Sequence, residues 1–288
     1  MDGIGLAFDQ IAERYDRVRP GYPEQVFDDI AALTGIPAGG RVLEIGPGPG
    51  TATRDLLGRG WRVHGIEPGV ALAARATENL AGQRFTVDVT RFDDWVPDGT
   101  YDMLFSATAY HWVAPEARWR LAADVLEPGG ALALVTNRTV AGGNFNDIYQ
   151  ASAELHARHG PEVDFGLSPT ASAILEEVRA SAHDIGALWE AIETKAGPSR
   201  AGTWFTPPEI RSYEWETTYD ADDAAALLST YSPYLRVPPE RRAPLLSGVT
   251  DIVRADFGGV ATRRYLAVLA VARRGAEPRG VGPGRTDA

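Results

Sequence analysis

Hydrophobic and polar positions along the chain alternate between two periods. Val42-Leu43-Glu44-Ile45 is a short apolar run ended by glycines, the pattern of a buried parallel strand. Trp61 to Ile66, Phe85 to Val89, Tyr101 to Ala107 and Ala131 to Val135 repeat that kind of run. Between them lie segments with helical spacing: Glu24–Leu33, Thr51–Leu57, Val70–Leu80 and Pro115–Leu126. The last places Trp119 and Leu126 on a buried side, and Glu127-Pro128-Gly129-Gly130 ends it. Strand and helix in alternation predict an α/β protein with a parallel sheet.

The C-terminal half changes character. From Thr139 to about Gly202 the pattern is helical, broken by Gly and Pro. Ser168-Pro169 predicts a helix cap and first position, and Ile174, Val178, Ile185, Leu188, Trp189 and Ile192 are its expected buried residues. Such a segment exceeds a normal connection and predicts a helical lid. Glu209 to Tyr219 alternates as a sixth strand. Ala221–Tyr231 and Pro239–Phe257 are helical, and Thr262–Ala272 is the last strand. Arg274 to Ala288, rich in Gly, Pro and Arg, predicts a disordered tail.

The stretch Arg41 to Glu67 carries the candidate chemistry. Gly46, Gly48 and Gly50 alternate with Pro47 and Pro49, so this turn is neither helix nor strand interior. Glycines let backbone approach a ligand where a Cβ would collide. The helix opened by Thr51 presents free N–H groups. Glu67 ends the second strand, 17 residues after Gly50. An acid at that separation is placed to accept hydrogen bonds from both hydroxyls of a ribose.

Glu44-x-Gly46-x-Gly48-x-Gly50 with Glu67 resembles the cofactor loop of class I S-adenosylmethionine-dependent methyltransferases. A tight turn in another α/β protein, or a nicotinamide dehydrogenase, is the competing reading. The resemblance implies a Rossmann-like, seven-stranded sheet with its last strand antiparallel and helices on both faces. It also implies S-adenosylmethionine as cofactor and S-adenosylhomocysteine as product. Phe-Asp-x-Ile-Ala-x-x-Tyr-Asp from Phe8, then Arg-Pro-x-Tyr-Pro from Arg19, looks like the N-terminal cover of small-molecule methyltransferases. Carried over, Tyr15 and Arg19 reach the methionine end, with Arg19 facing its carboxylate. Glu44, Gly46, Gly48, Gly50, Glu67, Pro68, Phe92 and Ala107 complete the implied cofactor set. Arg91 stands where the family commonly has an acid for the adenine amino group, which leaves Asp93 or Asp94 as substitutes.

Tyr110-His111-Trp112 follows the fourth strand, at the carboxyl end where open α/β sheets bind ligands. Its His-Trp pair resembles the trans-aconitate-methyltransferase-like and ubiquinone-biosynthesis-like branches. The three residues are the expected acceptor site, with His111 as candidate base and Tyr110 beside it. The alternative role for His111 is to steady the loop. His156-x-x-His159 places two imidazoles on one helical face but lacks further ligands, so no metal is expected.

Composition narrows the function. The 288 residues are 44% hydrophobic and 23% charged, ordinary for a globular protein, with net charge −11. That charge disfavours broad binding to a nucleic-acid backbone. Without cysteine there is no disulfide and no thiolate nucleophile. No apolar run approaches a membrane span, and Met1 to Pro20 lacks the apolar segment of a signal peptide, so a cytoplasmic protein is expected. Oligomeric state is not legible. The expected organisation is a cofactor core with its N-terminal cover over residues 1–138, a helical lid over 139–202, the rest of the core over 203–273, and a tail over 274–288. The expected function is methyl transfer to a small-molecule acceptor. The alternative is an S-adenosylmethionine-binding protein that transfers no methyl, as a sensor or in a reaction such as cyclisation.

Overall fold

The computed structural model describes residues 11–163, 167–192 and 201–275. Phe8 and Asp9 of the N-terminal motif, and the tail beyond Gly275, lie outside them. Strands β1 (Arg41–Ile45), β2 (Arg62–Ile66), β3 (Phe85–Asp88), β4 (Tyr101–Ala107), β5 (Leu126–Gly143), β6 (Glu209–Asp220) and β7 (Val260–Arg273) form one sheet in the order β3-β2-β1-β4-β5-β7-β6. The first five run parallel; β7 lies antiparallel between β5 and β6, as expected for the last strand.

Side-chain alternation explains why both faces are covered. Leu43, Leu104, Leu132, Leu134, Leu266 and Val268 pack into one core. Val42, Met103, Phe105, Ala133, Ala267 and Leu269 pack into another on the opposite face. Of the helices α1 (Ala12–Val18), α2 (Glu24–Thr34), α3 (Thr51–Gly58), α4 (Val70–Asn79) and α5 (Arg118–Val125), α1 packs against α4, α2 and α3 close the second face, and α5 packs on the first. Trp119 is buried on α5 as predicted, whereas Leu126 is buried as the first residue of β5, paired with Tyr101, because the helix ends at Val125.

The C-terminal half departs from its pattern at two places. Thr139 to Gly143 is strand, not helix: β5 continues because β7 pairs with it as far as Arg263 opposite Gly143. Helices α6 (Phe145–Ala151), α7 (Ala153–His159), α8 (Ala171–Ser181) and α9 (Ile185–Ile192) follow. The cap of α8 is Thr170, whose side chain accepts from the Ala173 amide at 3.2 Å, two residues later than Ser168. The six predicted apolar positions from Ile174 to Ile192 are all buried. After β6 come α10 (Ala221–Ser229), α11 (Ser232–Arg236) and α12 (Pro239–Asp256). Among the described residues, no helix is long and apolar enough to cross a membrane.

Strand order reverses between β1 and β4, and the crevice outside their carboxyl ends is where such sheets bind ligands. The loops leaving these two strands touch. A Cβ built on Gly46, which has φ +70°, would stand 2.4 Å from the Ala109 Cβ, so only glycine allows this approach.

Candidate functional site

The glycine turn is locked to the acid at the end of β2. The Gly48 amide donates to Glu67 Oε2 at 3.1 Å, and the Gly69 amide donates to Oε1 at 2.9 Å. Glu67 is only 6% exposed and lies in the wall of a cavity of about 590 Å³. Gly48 has φ +56°, and a Cβ added there meets no protein atom within 4 Å. Gly46, Gly48, Glu67 and Pro68 therefore come together as predicted.

Glu44 and Gly50 have different surroundings. Glu44 is 1% exposed and accepts from Thr53 Oγ1 at 2.7 Å, which ties β1 to α3 beneath the turn. Burial pushes its carboxyl up to about 8, against the opposing effect of the Thr53 bond. Glu44 lines a smaller adjoining pocket and not the main cavity. Gly50, predicted to bind cofactor, lines neither. It caps α3 with φ +91°, its amide donates to the Pro47 carbonyl, and a Cβ there would meet Leu80 Cδ1 at 2.8 Å. Its glycine serves the turn and the α3–α4 packing.

Ile66, Leu72 and Phe92 give the Glu67 end apolar walls. Arg91 pairs with Asp93 at 2.6 Å, and Asp93 Oδ1 also accepts from the Ala114 amide at 3.0 Å. Asp93 lines the cavity with both oxygens engaged by protein, whereas Asp94 does not line it.

Tyr15 and Arg19 reach the cavity from α1 and the residue after it. Arg19 Nε donates to Thr230 Oγ1 at 2.9 Å, and Nη2 donates to the Thr230 carbonyl at 2.7 Å. Its guanidinium lies between the rings of Tyr15 and Tyr231, 4.8 and 4.4 Å from their centroids. The N-terminal cover is thus fastened to the segment after α10.

The loop after β4 splits the predicted triplet. His111 and Trp112 line the cavity together with Ala107 and Thr108. Tyr110 does not. It is fully buried, donates its hydroxyl to the Arg118 carbonyl at 2.7 Å, and packs on Trp119 and Trp189. A short 3-10 turn carries these three residues, and consecutive side chains of such a turn leave in different directions. The expectation of Tyr110 at the acceptor is corrected accordingly. Thr108 holds φ +53°, uncommon for a β-branched residue, and shares a 3.0 Å hydrogen bond with the Tyr22 hydroxyl.

The cavity wall also uses residues that periodicity did not single out. They are Asn137 and Arg138 on β5, Tyr149 on α6, Tyr231 and Tyr234 around α11, and Arg263 on β7. Val163, Leu167, Ser168 and Pro169, between α7 and α8, close it. No sequence pattern marks Asn137 or Arg263, since each stands in a run of polar residues, Thr136-Asn137-Arg138-Thr139 and Thr262-Arg263-Arg264. His156 is buried and bonded to the Ser152 carbonyl and the Tyr234 hydroxyl, and burial lowers its pKa. Among the described residues no cluster of His, Asp and Glu is arranged to hold a metal ion.

Residues 43–134 match the methyltransferase domain family. An uncharacterized methyltransferase of Geobacillus kaustophilus is 34% identical over 134 residues, 43% of this chain and 62% of that protein. The biotin biosynthesis bifunctional protein BioCD of Bordetella avium is 34% identical over 172 residues, 54% of this chain and 34% of that protein. The matches thus span less than two thirds of these curated relatives. A solved structure from Anaeromyxobacter dehalogenans, provisionally described as a type II methyltransferase, superposes with TM-score 0.58 at 24% identity, covering 88% of this chain and 97% of that one. The chain thus combines the switch-point crevice and the glycine turn locked to Glu67 with a stretch, residues 43–134, similar to the methyltransferase domain family, and it shares the fold of the solved methyltransferase structure.

Proposed function

We propose that the chain transfers a methyl group from S-adenosylmethionine to a small-molecule acceptor. The observation that carries this reading is the Glu67 carboxylate, anchored by the Gly48 and Gly69 amides in the wall of a cavity that continues to His111 and Trp112. The residues fit the donor. Glu67 is an acceptor pair for ribose hydroxyls, and the bare backbone of Gly48 leaves open space where a side chain would stand. Ile66, Leu72 and Phe92 offer apolar faces for an adenine, and Arg19 a cation for the methionine carboxylate. When bound, the donor supplies an electrophilic methyl on a sulfonium.

The protein's part is to orient and enclose. His111 and Trp112 stand on the wall beside the glycine turn, where an acceptor would face the donor. His111 is the candidate to take or hold the acceptor's proton. A cavity of about 590 Å³ is in the range of small-molecule sites. The lid is the part of residues 139–202 that lines the cavity, Tyr149, Val163, Leu167 and Pro169, whereas Thr139–Gly143 belong to β5 and the buried residues of α8 and α9 pack into the sheet's core. The seven-stranded sheet with the helices packed on it is the core that carries it, with the Tyr15–Arg19 segment as cover.

The test is incubation with donor labelled in the methyl group and a panel of small acceptors, read by label in the product. Transfer to small molecules supports the reading. Tight donor binding without transfer to any acceptor supports a protein that binds the donor for another purpose.

A further inference from the structure

Among the described residues, Arg263 is the cavity arginine with buried donors that no hydrogen bond uses. It sits on β7 opposite Thr217 of β6 and is 6% exposed, yet it lines the cavity. Nε and Nη1 are buried with no hydrogen-bond partner, and no ion pair reaches the side chain among the described residues. The Tyr149 hydroxyl is its polar neighbour. The remaining surroundings are aromatic: its guanidinium carbon is 4.7 Å from the Phe145 ring centroid, 5.1 Å from Tyr231, 5.7 Å from Tyr149 and 6.0 Å from Tyr265. Ring faces offset part of the desolvation of a cation, but leave its N–H donors unused. A buried, always-charged group with idle donors is costly to fold around unless a ligand completes it.

The other cations of the cavity differ. Arg91 is paired with Asp93, Arg19 is fastened to Thr230, and Arg138 donates to the Ile192 carbonyl. Tyr231 stands between Arg19 and Arg263, 4.4 Å from one and 5.1 Å from the other, so two cations flank one ring. The protein as a whole carries −11, so a cation kept idle inside a cavity is set against its general charge.

We propose that Arg263 reads a single carboxylate on the acceptor, whose apolar body lies in the box formed by Tyr149, Tyr231 and Tyr234. One guanidinium neutralises one carboxylate and supplies planar donors to its oxygens. A phosphate ester would bring nearly two charges to the one cavity arginine with idle buried donors. The inference rests on the function proposed above, with the donor at the Glu67 end and the acceptor at the Arg263 end.

The experiment uses the full chain saturated with S-adenosylhomocysteine. Benzoate, phenylacetate and octanoate are titrated by calorimetry against their methyl esters and against phenyl phosphate. At least one carboxylate is expected to bind about tenfold or more tightly than its ester. Arg263→Gln is expected to abolish that preference and leave S-adenosylhomocysteine affinity within about twofold. Equal binding of acid and ester by the unaltered protein overturns the proposal without any variant, as does a preference for phenyl phosphate. A loss of S-adenosylhomocysteine affinity in folded Arg263→Gln also overturns it, because Arg263 would then serve the donor. Failure of the unaltered chain to bind S-adenosylhomocysteine defeats the underlying function instead.

Discussion

Gly48 donates its amide to the carboxylate of Glu67 at 3.1 Å, so the turn after β1 and the acid after β2 form one rigid unit. Removing the carboxylate takes away acceptors for the ribose hydroxyls and releases two amides, those of Gly48 and Gly69. Glu67→Ala is expected to weaken S-adenosylhomocysteine binding by roughly 1–3 kcal/mol. Calorimetry on the folded variant checks it; unchanged affinity would take Glu67 out of the site.

Glu44 makes stability depend on pH. Its folded pKa is raised to about 8, while the unfolded carboxyl titrates in the ordinary range. Between those values the folded chain binds one more proton than the unfolded chain, so stability falls as pH rises. The loss is complete above the folded pKa. Glu44→Gln removes this titration, so its melting temperature relative to the unaltered protein is expected to climb from about pH 5 to pH 8. A difference that stays flat with pH would show that Glu44 is ionised in the folded protein.

Arg19 is held at the cavity by Thr230, Tyr15 and Tyr231. Arg19→Ala is expected to weaken donor binding by about tenfold, the worth of a charge-assisted hydrogen bond, with little change in kcat at saturating donor. A variant that loses thermal stability but keeps donor affinity would reduce Arg19 to a fastener between α1 and the α10–α11 segment.

His111→Ala separates orientation from binding. It is expected to lower turnover by about tenfold or more while donor affinity stays within about twofold. Single-turnover rates with a labelled methyl donor check this. Unchanged turnover would make His111 a structural residue of the loop.

The site was legible where short-range geometry determines it. Gly46, Gly48 and Glu67 belong to one β-turn-α-β unit, and strand, turn and acid spacing suffice to place them. Gly50 shows the limit: its glycine is required, but by the left-handed cap and by Leu80, which no local pattern reveals. Tyr110 was misplaced because adjacency to His111 says nothing about which way a turn residue points, and Trp119 and Trp189 draw it inward. Thr139 to Gly143 reads as the start of the helical segment and becomes strand only by pairing with β7. Arg263 was invisible for the same reason. In Thr262-Arg263-Arg264-Tyr265 the two arginines look alike, yet Arg264 pairs at the surface with Glu214, while rings from α6 and the α10–α11 segment bury Arg263.

The central claim is that the glycine turn and Glu67 hold S-adenosylmethionine. Its most direct test is calorimetric titration of the full chain with S-adenosylhomocysteine, set beside a nicotinamide dinucleotide under the same conditions. One molecule of S-adenosylhomocysteine per chain, bound more tightly than the dinucleotide and weakened by Glu67→Ala, is the predicted result. Tighter binding of the nicotinamide dinucleotide, or no binding of S-adenosylhomocysteine, would contradict it.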